Sequence, residues 1–158
     1  APWLDEVQGF IDADLRRRGI VFASEIDADL PPLRGDRVLL SQTLLNLLRN
    51  AIDAMRTTPA EQRHLTLTAQ REAAHLHLQL TDRGCGISVD DAARLFEPFY
   101  TTKAEGMGMG LAICRSVVEG HHGRLWHEPN VDGGTIFHVL LPLAVEAEIA
   151  GNSERDDP

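Results

Sequence analysis

The sequence predicts an α+β fold of two layers, a mixed and mainly antiparallel sheet covered on one face by about three helices. Three observations lead there. Helical and strand periodicities succeed one another in the order α, β, α, ββ, loop, α, ββ. Residues 65–69 and 76–80 place a leucine or alanine at every second position between polar neighbours, the pattern of strands buried on one side. The helical segments each carry a single apolar face, which a sheet can cover. With 158 residues, 43% of them hydrophobic, the chain suits one domain with a core of ordinary size.

In residues 2–18, Trp3, Leu4, Val7, Phe10, Ile11 and Leu15 recur at helical spacing, with Pro2 suited to a first turn and Gly19 to a stop. Because this helix starts at once, we expect a domain cut from a longer protein. Residues 20–26 are β-branched and aromatic and precede Pro31-Pro32, which predicts a strand and a turn. Asp36 then suits the N-cap of a long helix that Thr57-Thr58-Pro59 ends. On it Leu40, Leu44, Leu47, Leu48, Ala51 and Met55 form an apolar face, and Gln42, Asn46, Asn50 and Asp53 form a polar stripe. Two strands follow as a hairpin broken at residues 71–74. After a glycine-framed stretch, a helix is expected over residues 111–119, ending at the 120–123 region. Residues 125–127 and 135–141 read as a last strand pair, with the turn at 130–134.

A net charge of -9 excludes nucleic acid as the main partner and argues against direct contact with an anionic membrane. Any phosphate bound is expected to be small and paired with a metal. Cys85 and Cys114 lack CxxC spacing and suit buried thiols in a reducing compartment. No apolar run reaches membrane length. We therefore expect a cytoplasmic domain over residues 1–143 whose parent is membrane-anchored or soluble. Residues 144–158 are acidic and expected to form a disordered tail.

Three patterns carry possible chemistry. Gly106, Gly108 and Gly110 alternate with Met107 and Met109 directly before a helix, where close backbone approach and free N–H groups can hold phosphates. This GxGxG spacing satisfies neither the Rossmann nor the P-loop pattern, and alone it also fits a plain glycine-rich helix start. Asp82, with Gly84 and Gly86 after it, sits where a strand ends. A desolvated carboxylate there can accept from the exocyclic amine of adenine and would repel the guanine oxygen; alone, the same DxGxG also fits an Asx turn. Asn46 and Asn50, one turn apart, can offer amide oxygens to a Mg²⁺ ion that also takes phosphate oxygens. Solvent-facing or capping asparagines are the competing reading.

Taken together and in order, these segments resemble the boxes of one family. NLLRNAIDAM from Asn46 is similar to the N box of histidine-kinase catalytic domains, DRGCGI to the G1 box, LFEPFYTTK to the F box and GMGMGLAICRSVVEGHHG to the G2 box; GGTIFHVLLP looks like the last strand. The resemblance runs from about Asp12 to Pro142. It implies a Bergerat-type ATP-binding fold, shared with gyrase, Hsp90 and MutL ATPase domains. By this match Asp82 contacts adenine, Gly84, Gly86 and Ile87 shape its pocket, and Thr135 backs it. Asn50 is the Mg²⁺ ligand, Asn46 lies near the phosphates, and Ala51 and Asp53 border the nucleotide. Phe99, Thr102 and Lys103 belong to the lid, with Lys103 near the γ-phosphate. Gly106, Met107, Gly108, Met109, Gly110 and Leu111 hold the phosphate chain.

The resemblance further implies transfer of the γ-phosphate of MgATP to a histidine on a dimeric helical hairpin of the same parent, and then to a response-regulator receiver domain. The related ATPases place a Glu one turn before the Mg²⁺ Asn, where it activates water; an amide at Asn46 cannot act as a general base, so hydrolysis should be slow. The phosphoacceptor hairpin is absent from this sequence. His127-Glu128-Pro129 mimics part of its motif but lies at a strand end before a turn. The short lid, with Ala104 and Glu105 between Lys103 and Gly106, looks like that of nitrogen- and oxygen-regulating sensor kinases. Two other readings stay open: a nucleotide-sensing module without catalysis, and a hydrolytic ATPase. For His75 and His77, a solvated strand face is expected over a metal site. His121 and His122 suit a helix C-terminus.

Overall fold

A computed structural model of the chain describes residues 2–98 and 110–144. The chain runs α1 (Pro2–Arg17), β1 (Val21–Ile26), α2 (Arg37–Ala54), β2 (His64–Glu72), β3 (His75–Asp82), α3 (Val89–Arg94), α4 (Gly110–Gly120), β4 (Arg124–Pro129) and β5 (Thr135–Pro142). The five strands form one sheet in the order β1-β2-β3-β5-β4. Only the β1–β2 pairing is parallel. The sheet is therefore mixed and mainly antiparallel, as the hydrophobic alternation predicts.

Leu65, Leu67 and Ala69 of β2, Leu76, Leu78 and Leu80 of β3, and Phe137, Val139 and Leu141 of β5 all point to the helical layer and are buried. From the other side α2 contributes Leu40, Leu44, Leu47, Leu48, Ala51 and Ile52, and α1 contributes Leu4, Val7 and Ile11. Each of the larger of these side chains taken from water stabilises the fold by roughly 2 kcal/mol, and each alanine methyl by about 0.8 kcal/mol. The apolar stripe predicted on α2 is thus the face that packs on the sheet, which leaves Asn46, Asn50 and Asp53 half-buried along its flank.

Asp36 caps α2 as predicted. Its Oδ1 accepts from the Val38 and Leu39 N–H groups at 2.9 and 3.1 Å, a contribution of about 1 kcal/mol. Its own backbone N–H donates to Nε2 of His121 at 3.0 Å, while Nδ1 of the same ring donates to the Val117 carbonyl at 2.7 Å. His121 therefore ties the end of α4 to the start of α2 with both nitrogens. Gly35 lies against this ring at φ +140°, and a Cβ there would sit 2.7 Å from Nε2. We expect Gly35→Ala to cost roughly 2–4 kcal/mol, from backbone strain plus displacement of His121. Gly19→Ala, at φ +63° in open space, should cost only about 1 kcal/mol. Thermal unfolding of the two variants checks the difference.

Some boundaries move. The long helix ends at Ala54, capped by Met55, before the Thr57-Thr58-Pro59 segment expected to end it. The hairpin break shrinks to Ala73-Ala74, with Ala73 at φ 54° and Glu72 paired to His75. Helix α3 was not expected. Ser88 caps it by accepting from the Asp91 N–H at 3.1 Å, with Asp90 and Asp91 in the first turn.

The expected solvated face of β3 also needs correction at His77. Its Nδ1 pairs with Glu72 Oε2 at 2.7 Å and its Nε2 with Nδ1 of His138 at 2.9 Å, and Nε2 of His138 pairs with Glu128 Oε1 at 2.7 Å. Trp126 stacks on His138, ring centroids 4.8 Å apart. Cross-strand neighbours on β4 and β5 thus cover a ring that the strand alone leaves open. Among the described residues no group of three or more His, Cys, Asp or Glu is arranged to hold a metal ion, and no helix is long and apolar enough to cross a membrane.

Candidate functional site

Strand β3 ends at Asp82 on the helix-facing side of the sheet, so its carboxyl is carried inward and is only 2% exposed. Burying a carboxylate is costly unless its oxygens are met. Asp82 Oδ1 accepts from the Gly84 N–H at 2.8 Å and from the Thr135 N–H at 3.3 Å. No described residue donates to Oδ2. Desolvation raises the pKa of Asp82 above the ordinary carboxylate value, and the two backbone bonds partly offset this.

The turn after Asp82 is fixed from three sides. The Cys85 N–H donates to the Ala54 carbonyl at 3.1 Å, and Thr58 Oγ1 donates to the Arg83 carbonyl at 2.9 Å. A Cβ on Gly84 would lie 2.7 Å from both the Ala54 Cβ and its carbonyl oxygen. Glycine is required there because the turn rests on the end of α2. Gly86 takes φ +74°, and Ile87 is partly buried against the core. From the turn between β4 and β5, Asn130 Nδ2 donates to the Asp82 carbonyl at 3.1 Å. Gly134, at φ +99°, lies so close that a Cβ would sit 2.8 Å from Asp82 Oδ1 and overlap the Asp82 carbonyl oxygen.

The other predicted half of the site lies at the start of α4. A Cβ on Gly110 would lie 3.3 Å from Asn46 Nδ2, so the polar stripe of α2 passes directly under the first turn of α4. Asn46 and Ala54 are about 12 Å apart by helical rise, and α2 therefore sets the distance between the turn after Asp82 and the start of α4. Asn50 lies between them, half-buried, and Ala51 is buried in the core. Leu111 packs partly buried against the core.

The structure thus brings Asp82, Gly84, Gly86 and Thr135 together, and brings Asn46 to Gly110. Asp53 sits near an ion-pair partner, with its Oδ1 3.6 Å from Arg18 Nη1. Phe99, Thr102, Lys103, Gly106, Met107, Gly108 and Met109 lie outside the described residues. At the edge of that segment Phe96 packs against His127, centroids 6.2 Å apart, with the Arg115 guanidinium over its ring. His127 also contacts Phe137, and burial lowers its pKa, favouring the neutral ring. Ala54, Asn130 and Gly134 support Asp82 and its turn and are missing from the predicted set. Of these, Asn130 and Gly134 left a signal, as the two ends of the turn before the last strand.

Comparison with known proteins decides the assignment. Residues 35–145 match the family described as histidine kinase-, DNA gyrase B-, and HSP90-like ATPase. The chain belongs to this family. Its likeness is to the histidine-kinase branch. It is 47% identical over 131 residues to the C4-dicarboxylate transport sensor protein DctS of Rhodobacter capsulatus, covering 83% of this chain and 20% of that one. Among solved structures, the catalytic domain of histidine kinase ThkA is 29% identical with a TM-score of 0.77, covering 89% of this chain and 90% of that one. Another structure holds ThkA with the response regulator protein TrrA, at 27% identity and a TM-score of 0.75 over 90% of this chain and 40% of that one. Full-length ShkA in complex with AMPPNP is 27% identical with a TM-score of 0.77, covering 91% of this chain and 30% of that one. The chain spans 12% to 26% of the length of DctS, TmoS and FixL, the first three curated relatives it matches. It is an ATP-binding domain of the sensor histidine kinase type, with the mixed sheet and helical layer of that fold.

Proposed function

We propose that this domain binds MgATP and transfers its γ-phosphate to a histidine on a separate dimeric helical hairpin of the same parent, from which a response-regulator receiver takes it. In this reading residues 1–143 are the catalytic unit, residues 144–158 an acidic tail, and the parent a homodimer whose catalytic domain works in the cytoplasm. Asp82 accepts the adenine amine through Oδ2, with Gly84, Gly86, Ile87 and Thr135 forming the pocket. Gly106, Gly108, Gly110 and Leu111 hold the phosphates, and Lys103 meets the γ-phosphate.

The donor set suits Mg²⁺, which takes one or two protein oxygens and otherwise phosphate oxygens and waters. Asn50 would hold it, and it would supply charge neutralisation at the phosphates. The observation that carries transfer over hydrolysis is the place of Asn46 beneath Gly110. At the phosphate end of the site stands an amide, which cannot take a proton from water. Phosphoryl transfer needs chiefly positioning and charge stabilisation, which do not require that base.

The test is phosphate release by the domain alone. Bound MgATP should persist with almost no inorganic phosphate formed. Rapid Mg²⁺-dependent release would restore the hydrolytic reading. Asn50→Ala should reduce MgATP affinity by about 10-fold or more, at least the loss that follows when a group supporting a metal ligand is removed, with metal-free nucleotide binding nearly unchanged. Calorimetry with and without Mg²⁺ checks this split.

A further inference from the structure

His77 and His138 alternate along β3 and β5 with core residues, which puts both rings on the face of the sheet away from the helices. There Glu72 of β2, His77, His138 and Glu128 of β4 form one continuous chain across four strands. Its links run from Glu72 Oε2 to His77 Nδ1 at 2.7 Å, from His77 Nε2 to His138 Nδ1 at 2.9 Å, and from His138 Nε2 to Glu128 Oε1 at 2.7 Å. All four ring nitrogens are engaged. The carboxylates are exposed, whereas His138 is buried and the His77 side chain is only 14% exposed. Trp126 stacks on both rings, nearly parallel to His138 at 4.8 Å and against His77 at 5.6 Å.

Each of the three links needs one hydrogen, and the ends of the chain fix where two of them lie. Ionised carboxylates only accept, so His77 Nδ1 and His138 Nε2 must both be N–H donors. The central link needs a third hydrogen, on His77 Nε2 or on His138 Nδ1. Two neutral imidazoles carry only one N–H each. Without a third, the central nitrogens would turn lone pairs on each other across 2.9 Å; with a fourth, they would turn two N–H groups on each other. The geometry therefore fits one proton beyond the neutral pair, and no more. Imidazole is a stronger base than carboxylate, which keeps that proton on the rings.

We infer that His77 and His138 form a binding site for a single proton, shared between the two rings and held by Glu72 and Glu128. Other charged or titratable groups face it from two strands. His75 of β3 stands opposite Glu72 in register, and the Arg124 guanidinium of β4 lies over Trp126, 4.8 Å from its ring centre. The neighbours on β5, Ile136 and Leu140, carry no charge. Arg124 opposes the shared charge from the indole, while the two carboxylates favour it in direct contact and prevail by distance. The indole face beside His138 favours a cation as well. Filling the site ties β2, β3, β5 and β4 together. Emptying it opens the central link between β3 and β5, because each remaining hydrogen stays with its carboxylate, the stronger acceptor.

Counting protons gives the sign of the pH dependence. Above about pH 6.5, where free histidines are neutral, the unfolded chain holds no proton here beyond the neutral rings and the folded chain holds one, so stability falls as pH rises. Below it the unfolded chain holds two and the folded chain one, so stability falls as pH falls. The experiment is chemical denaturation of the 158-residue chain and of the double variant His77→Phe, His138→Phe from about pH 5 to 8, with nitrogen NMR of the wild-type imidazoles. Phenylalanine keeps a ring against Trp126 and removes the proton site. Relative to the double variant, wild-type stability should pass through a maximum, with each flank approaching a tenfold change in the folding equilibrium constant per pH unit. By NMR the rings should titrate in two separated steps, both at His77 Nε2 and His138 Nδ1, with the outer nitrogens protonated throughout. Parallel stability curves would overturn the inference. So would two overlapping steps, or an outer nitrogen that loses its hydrogen first. If the double variant does not fold, the NMR titration decides alone.

Discussion

Asp82→Asn is expected to weaken ATP binding by about 100-fold, the size of a lost hydrogen bond to a charged group plus a mismatched donor, while the thermal midpoint holds or rises. The two effects have one origin. Asp82 is buried, and desolvation holds its pKa above the ordinary carboxylate value. Folding therefore disfavours the ionised form, and this penalty is fully present above the folded-state pKa and is relieved as pH falls through it. Asparagine carries no such penalty and keeps an oxygen for the Gly84 and Thr135 N–H groups. Its amide nitrogen replaces Oδ2, and toward the adenine amine it offers a second donor where an acceptor is needed. The same shift sets the sign of the pH dependence. Wild-type affinity for ATP should fall with acidification, beginning at a higher pH than an ordinary aspartate would give, and Asp82→Asn should lack that phase. Calorimetry paired with thermal unfolding checks both halves.

Gly134→Ala is expected to have the largest effect on the fold of any single methyl added at the site. At φ +99° an alanine is strained, and its Cβ would overlap the carbonyl oxygen of Asp82. Neither partner can yield cheaply, because Asp82 is held through its own carbonyl by Asn130 and through Oδ1 by Thr135. Strain and overlap together amount to roughly 4 kcal/mol. Gly133, at φ +93° with nothing within 4 Å, is the control; Gly133→Ala should cost about 1–2 kcal/mol from strain alone. Chemical denaturation of the two variants gives the difference, and residual ATP affinity in Gly134→Ala should be lost with the Asp82 geometry.

Much of this arrangement was legible in the sequence because local rules carry it. Alternating leucines located β2 and β3 and their buried side, and Asp36 marked the start of α2. The spacing of Asn46 and Asn50 put both on one flank of that helix, where the structure finds them. The site's supports were not legible, because they depend on register between distant segments. Ala54 has no chemistry of its own, and its part arises only when α2 ends beneath Gly84 and Cys85. His77 and His138 meet through pairing of strands 61 residues apart, which no window along the chain reveals. Helix α3 is a different case, since Ser88 with Asp90 and Asp91 behind it is an N-terminal signal readable in advance. It was obscured by the glycine-framed stretch around it.

The fate of the γ-phosphate tests the central claim most directly. The domain is mixed with the dimeric hairpin of its own parent and MgATP labelled in that phosphate, and the hairpin is assayed for acid-labile, base-stable label. Label should accumulate on the hairpin in preference to free phosphate, and Asp82→Asn should abolish it at ATP concentrations that saturate the wild type. An unlabelled hairpin beside a domain that still binds ATP would contradict the kinase reading.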